Sequence, residues 1–321
     1  MRTPPRAPQR TASPLLLSRD QRQLGDRLYA RAHRGELVAV RPGVYAPADW
    51  WADLKPYERY RERVHAAVLA FPDALFFRES AAALHGLPLF GEASHIHLFD
   101  GQARATTTFG DVVVHASKTP RAAVRMEGED ALATGLLETI VDTARALPPA
   151  YGLALVDAAL HMGVSLDALS AIVASDSNRR GTRKLAWAFE FADARSESVG
   201  ESVSRAVIHW LGFPVPTLQQ RFWSEGREDR TDFWWPDHRI IGESDGYGKY
   251  AAHTATEAVR TIVAEKLRED RLRRQSRGFA RWDWSDAHRV RPVRAKLLAA
   301  GLPVIGPPNT AMLATLRGRT P

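Results

Sequence analysis

Two apolar stretches, Thr231-Asp232-Phe233-Trp234-Trp235 and Ile240-Ile241-Gly242-Glu243-Ser244-Asp245-Gly246, flank a turn at Pro236-Asp237, and their pairing decides the class of the C-terminal part of the chain. Strand-forming runs on either side of a short polar turn predict a β-hairpin. Because side chains alternate along a strand, Ile241, Glu243 and Asp245 project from one face, and antiparallel pairing brings Asp232 beside Glu243. Three carboxylates on one sheet face repel unless a cation neutralises them. The 321 residues include no cysteine, so thiolate sites and disulfides are excluded and a metal must take oxygen or imidazole ligands. Asp232, Glu243 and Asp245 therefore suit a hard ion, Mg²⁺ or Mn²⁺, which keeps several waters and a phosphate oxygen in its shell. Such an ion makes hydroxide available near neutral pH and stabilises the charge that grows on phosphorus. Lys249 and Lys266 are the lysines placed to orient that water. The alternative is an exposed hairpin whose acids are merely solvated.

Outward from the hairpin, residues 201–211 read as a helix with Val203, Val207 and Trp210 on one face, and residues 218–222 as a strand. A long helix is expected over 254–276, with an inner stripe at positions 259, 262, 263, 267 and 272 and its arginines outward. An aromatic strand bearing Arg281 follows at 278–284. Between Arg268 and Lys296 there are ten basic and four acidic residues. Arg268, Arg271, Arg273, Arg274 and Arg281 are thus candidates to grip a phosphate backbone, although a solvated helix face reads the same way.

The formal charge of +7 is unevenly spread: 13 basic and 7 acidic side chains in residues 1–63, 11 and 15 in 64–195, and 20 and 15 in 196–321. Basic ends around an acidic middle suit a polyanionic partner. Residues 1–13 read as a disordered basic tail. A helix over 20–34 and a hairpin (37–40 and 44–46, joined by Arg41-Pro42-Gly43) predict an abbreviated winged-helix module over 14–63, with Arg41 touching phosphate. A helix at 56–71 leads into an α/β middle domain over 64–195, with a helix at 80–87, strands at 94–99 and 111–117, and a helical run from 134 to 191. His95 and His97 share a strand face there, the mark of a half-exposed strand more than of a metal pair. With no apolar run of about 18 residues and no signal-peptide core, the expectation is a soluble, cytoplasmic protein without a membrane partner.

Residues 196–290 resemble the PD-(D/E)xK nuclease superfamily, in the group akin to very-short-patch-repair endonucleases. The resemblance rests on Ser198 to Ser202, Asp232-Phe233, Glu243-x-Asp245-Gly246-x-x-Lys249-Tyr250, Glu269 to Arg273, and Arg281-Trp282-x-Trp284. It implies a restriction-endonuclease-like α/β/α domain over 196–321, with Asp232 and Glu243 as metal ligands, Glu201 as a helix-borne acid, and Asp245 as a further ligand or orienting acid. The superfamily carries a lysine two residues after the second acid; here that position is Asp245, so either Lys249 or Lys266 substitutes or activity is weak or lost. Residues 14–175 resemble the AbiEi-type antitoxin and regulator family, through Gly35 to Val38, Arg41 to Tyr45, Ser80 to Pro88 and Leu137 to Asp142.

The expectation is therefore a multi-domain α/β protein that hydrolyses DNA phosphodiester bonds with Mg²⁺ or Mn²⁺, in a defence or toxin–antitoxin setting. The alternative is a noncatalytic DNA-binding regulator or antitoxin on a degenerate nuclease fold. A third reading gives the acidic middle domain a toxin-like protein partner.

Overall fold

A computed structural model describes residues 13–18, 25–117, 119–128, 130–245 and 255–318. The chain is a multi-domain α/β protein with two compact units. One unit comprises the chain up to Ala146 together with Met162–Gly181; the other comprises Leu147–His161 and Thr182–Gly318. None of the helices among the described residues is long and apolar enough to cross a membrane.

The first unit holds a three-stranded antiparallel sheet of β1 (Leu16–Leu17), β3 (Val44–Pro47) and β2 (Leu37–Arg41), in that order, beside α1 (Gly25–His33). After α2 (Ala48–Asp53) and α3 (Pro56–Ala70) come β4 (Leu75–Phe76), α4 (Arg78–Leu84), β5 (Ile96–Phe99), β6 (Thr107–Phe109), β7 (Val112–His115), β8 (Ala123–Arg125) and β9 (Leu132–Thr134). These strands form a mixed sheet in the order β6-β7-β5-β4-β9-β8. Its core gathers Tyr60, Val64 and Ala67 from α3 with Phe76, Ile96 and Val112 from the strands. α5 (Leu136–Ala146) and α7 (Leu166–Ser175) are tied to this unit by a buried ion network in which Arg121 binds Asp142 and Asp176, and Arg145 also binds Asp176.

The intervening α6 (Pro149–His161) and the following α8 (Thr182–Phe191) belong to the second unit, although the sequence places both in the acidic middle section. The physical reason is the composition of α6, which buries ten of its thirteen residues and packs against α8 and α9 (Val199–Trp210). A helix apolar nearly all round must be enclosed on every side.

The second unit is built on one four-stranded sheet, β10 (Thr217–Ser224), β11 (Arg227–Trp235), β12 (Ile240–Asp245) and β13 (Gly278–Asp283), in that order. The expected hairpin is present, with Phe233 opposite Gly242, Trp234 opposite Ile241 and Trp235 opposite Ile240. β12 and β13 run parallel, with Glu243 paired to Arg281, so the chain between them crosses over through α10 (Ala255–Gln275). α11 (Trp284–Arg289), α12 (Arg291–Ala299) and α13 (Thr310–Ala314) complete the unit.

Phe233, Trp235 and Trp282 are completely buried, and the rings of Phe233 and Trp282 stack with centroids 5.5 Å apart. This contact adds about 0.5–1.5 kcal/mol to what area burial alone contributes. The three rings close on Gly242, where a Cβ would lie 2.8 Å from Trp282 and 3.0 Å from Trp235. The indole N–H of Trp282 donates to Ser204 Oγ on α9, which fixes that helix over the sheet.

The orientation of α10 differs from the sequence expectation. Val259, Val263 and Leu267 are 60%, 51% and 53% exposed, whereas Leu272 is fully buried; the side chain of Ile262 lies outside the described residues. The inward face is charged instead, because Glu243 and Asp229 on the sheet draw in Arg268 and Arg271.

Candidate functional site

The register of β11 and β12 continues from the Phe233–Gly242 pair so that Asp232 lies across from Glu243. An oxygen of Asp232 accepts the backbone N–H of Ser244 at 2.8 Å. Glu243 is 3% exposed, and both of its carboxylate oxygens accept from the Arg268 guanidinium at 3.0–3.2 Å. Burial is the largest influence on Glu243 and pushes its pKa up, against the pull of Arg268 and then Arg281. Asp245, at the strand end, lies 3.3 Å from Nε of Arg281. Arg281 also pairs with Glu265 and Glu269 of α10, and Glu269 binds Arg273 in turn.

The surface thus collects five carboxylates (Asp232, Glu243, Asp245, Glu265, Glu269) against three guanidiniums (Arg268, Arg273, Arg281), leaving two negative charges in excess. An all-oxygen donor set with that excess fits a hard divalent cation, with Asp232 and Glu243 as the residues to hold it. Arg268 competes for the same oxygens of Glu243. Among the described residues no three of His, Cys, Asp and Glu gather as a metal-holding group.

Glu201 is built in differently from the expected site acid. Ser198 caps α9 by accepting the Glu201 N–H, and the Glu201 carboxylate accepts from Ser198 Oγ and from the Glu197 N–H, a reciprocal capping arrangement. Its remaining contact is Gln219, which donates its side-chain amide at 2.8 Å. Gln219 falls between the pairs Leu218–Phe233 and Gln220–Thr231, hence across from Asp232, and holds a left-handed backbone with φ 55°. A non-glycine residue in that region costs on the order of 1–3 kcal/mol and marks a position held by its surroundings. Gln219 links Glu201 to the strand beside the acidic face.

Lys266 is exposed, while Lys249 lies outside the described residues. The cation that reaches the acids from α10 is Arg268, which the sequence suggests only as one arginine of a backbone-gripping series. Gln219 carries no sequence signal, since its role depends on backbone conformation.

Two arginines expected at a phosphate backbone are internal. Arg41 donates twice to Asp111 and lies 5.1 Å from the Phe71 ring centre, with its side chain 8% exposed. Arg271 is likewise enclosed, donating through Nε and Nη2 to Asp229 at 2.7 Å. Arg273 and Arg274 remain at the surface, paired with Glu269 and Glu225. In the first unit, His97 hydrogen-bonds His115 at 2.9 Å and lies 3.5 Å from Glu79, so its neighbours are these groups beyond the His95 side chain on the same strand.

No protein-family model matches the chain, and no solved structure matches it. Two relatives from Mycobacterium tuberculosis are similar to it: Uncharacterized protein MT2308 of strain CDC 1551 / Oshkosh and Uncharacterized protein Rv2248 of strain H37Rv. Each is 37% identical over 166 residues, a stretch that covers 51% of this chain and 59% of the relative.

Proposed function

We propose that the second unit is a metal-dependent DNA endonuclease domain of the PD-(D/E)xK type. The observation that carries this reading is the placement of Asp232 beside Glu243 on adjacent strands, within a surface holding more carboxylates than cations. Bound there, Mg²⁺ or Mn²⁺ supplies Lewis acidity toward a phosphodiester and its attacking water. With Asp232 and Glu243 holding the ion, Arg268 is displaced from Glu243 and its guanidinium, with that of Arg281, is left for phosphate oxygens, while the Ser244 N–H orients Asp232. Arg273 and Arg274 extend the cationic rim, and the basic N-terminal segment adds nonspecific affinity for DNA. Action in the cytoplasm, with a defence or toxin–antitoxin role and a toxin-like partner, belongs to the same reading.

One observation favours a second reading. Arg268 holds both oxygens of Glu243, as expected of a noncatalytic DNA-binding regulator in which an arginine has replaced the metal. Incubating the purified chain with supercoiled plasmid and Mg²⁺ or Mn²⁺ separates the two. The nuclease reading expects nicking that EDTA and Asp232→Ala abolish. Salt-sensitive binding without nicking identifies the regulator, and equal nicking by wild type and Asp232→Ala removes the assigned site.

A further inference from the structure

α10 turns Arg268 and Arg271 inward to carboxylates of the sheet and leaves three large apolar side chains of its outer face in solvent, whereas an ordinary amphipathic surface helix buries such a stripe. Val259, Val263 and Leu267 recur every four residues along about 12 Å of helix, all three more than half exposed. With Ala264, Arg260 and Arg227 they line a groove of about 270 Å³.

The arginines around this groove are not equivalent. α10 and β11 together carry seven. Arg230, Arg268, Arg271, Arg273 and Arg274 each pair with a carboxylate of this chain. Among the described residues no such ion pair forms at Arg227 or Arg260, the two that line the groove. An apolar trough flanked by two available guanidiniums is complementary to a ligand that is itself apolar along one stripe and anionic beside it. Bare phosphate backbone meets the cations but leaves the valines and leucine in water.

We propose that the outer face of α10 is a docking groove for an acidic amphipathic helix of a partner protein. Apolar side chains of that helix, repeating at i, i+4 and i+7, lie along Val259, Val263 and Leu267, and its flanking carboxylates meet Arg227 and Arg260. The groove shares none of its lining residues with the Asp232–Glu243 face, and the proposal does not depend on nuclease activity.

The test uses the full chain and a fluorescein-labelled helical peptide with leucines at i, i+4 and i+7 flanked by glutamates, read by anisotropy. A second peptide carries lysine in place of every glutamate, and a DNA duplex serves as competitor. The expected result is saturable binding of the acidic peptide alone, weakened at least about tenfold by Val263→Asp and by the double change Arg227→Glu/Arg260→Glu. Leu267→Asp gives a second, independent apolar variant, and circular dichroism verifies that each variant folds. Absence of saturable binding, equal binding of both peptides, or unchanged affinity in folded Val263→Asp and Leu267→Asp overturns the proposal. So does self-association in sedimentation velocity that Val263→Asp abolishes, which makes a second copy the occupant, or DNA binding lost in Val263→Asp, which makes it nucleic acid.

Discussion

Both carboxylate oxygens of Glu243 are held by the guanidinium of Arg268, so the most deeply buried acid of the candidate site is partnered by a cation on a different element. Arg268→Ala leaves that carboxylate enclosed without its partner. Removing one member of a fully buried pair costs about 3–5 kcal/mol; with the Arg268 side chain 23% exposed, about 2–3 kcal/mol is expected by urea denaturation. The cost depends on pH in a definite sense. Burial already raises Glu243 above its ordinary value, so the folded state binds its proton more readily than the unfolded chain, and stability from this group falls as pH rises through that window. Without Arg268 the pKa climbs further. The penalty of Arg268→Ala is therefore largest where Glu243 is ionised in the wild-type chain and shrinks on acidification; a pH-independent penalty contradicts the pairing.

Asp157 anchors α6 to the second unit. Its carboxylate accepts from Ser202 Oγ and Arg205 Nη2, both at 2.6 Å, and from the Asp193 N–H at 2.8 Å. Asp157→Ala strips one buried and two partly buried donors of their acceptor, with an expected loss of about 2–4 kcal/mol. Asp157→Asn retains the shape and loses less. Chemical denaturation of the two variants checks the order, and a loss below about 1 kcal/mol for Asp157→Ala shows that α6 is held by apolar packing alone.

The legible features were those in which one local rule dominates. Alternation and a Pro-Asp turn locate β11 and β12 and bring Asp232 opposite Glu243. The apolar face of Val203, Val207 and Trp210 locates α9, although it is silent on whether Glu201 serves the helix cap or the acidic face. Periodicity detects an apolar stripe on α10 without stating which side the protein covers. There the need of buried Glu243 and Asp229 for cations outweighed the burial of two valines and a leucine. Gln219 was illegible because its left-handed backbone arises only once β10 pairs with β11. The winged-helix pattern placed Arg41 at DNA and charge counting placed Arg271 there, since neither can show that Asp111 and Asp229 fold against them.

Gly242 offers a test of the aromatic core beneath the site. A methyl group there meets Trp282 at 2.8 Å and Trp235 at 3.0 Å, both rigid rings that are completely buried. Gly242→Ala is expected to cost about 1–3 kcal/mol through overpacking. It should also perturb the near-ultraviolet circular dichroism of these tryptophans. Because Gly242 is adjacent to Glu243, nicking activity should fall with it, while Gly226→Ala at the β10–β11 hairpin tip, where a Cβ meets nothing within 4 Å, should cost stability through its left-handed backbone (φ 71°) and yet leave the near-ultraviolet spectrum unchanged.

His115 provides a pH marker in the first unit. Burial, followed by the positive charges of Arg78 and His97, brings its pKa from the ordinary 6.5 down to about 3. It hydrogen-bonds His97 at 2.9 Å, an arrangement that requires one of the two rings to supply an unprotonated nitrogen. Between these two pKa values the unfolded chain binds a proton that the folded chain refuses, so the stabilising contribution is complete above pH 6.5 and is lost as pH falls toward 3. In the wild-type chain the His115 ring signals should therefore stay in the neutral form down to about pH 4 by NMR. His115→Gln, which retains a hydrogen-bonding side chain and removes the titration, should flatten the loss of stability of the first unit across that window. A His115 ring that titrates near 6.5 in the folded protein would show that neither its burial nor the field of Arg78 acts as the geometry requires.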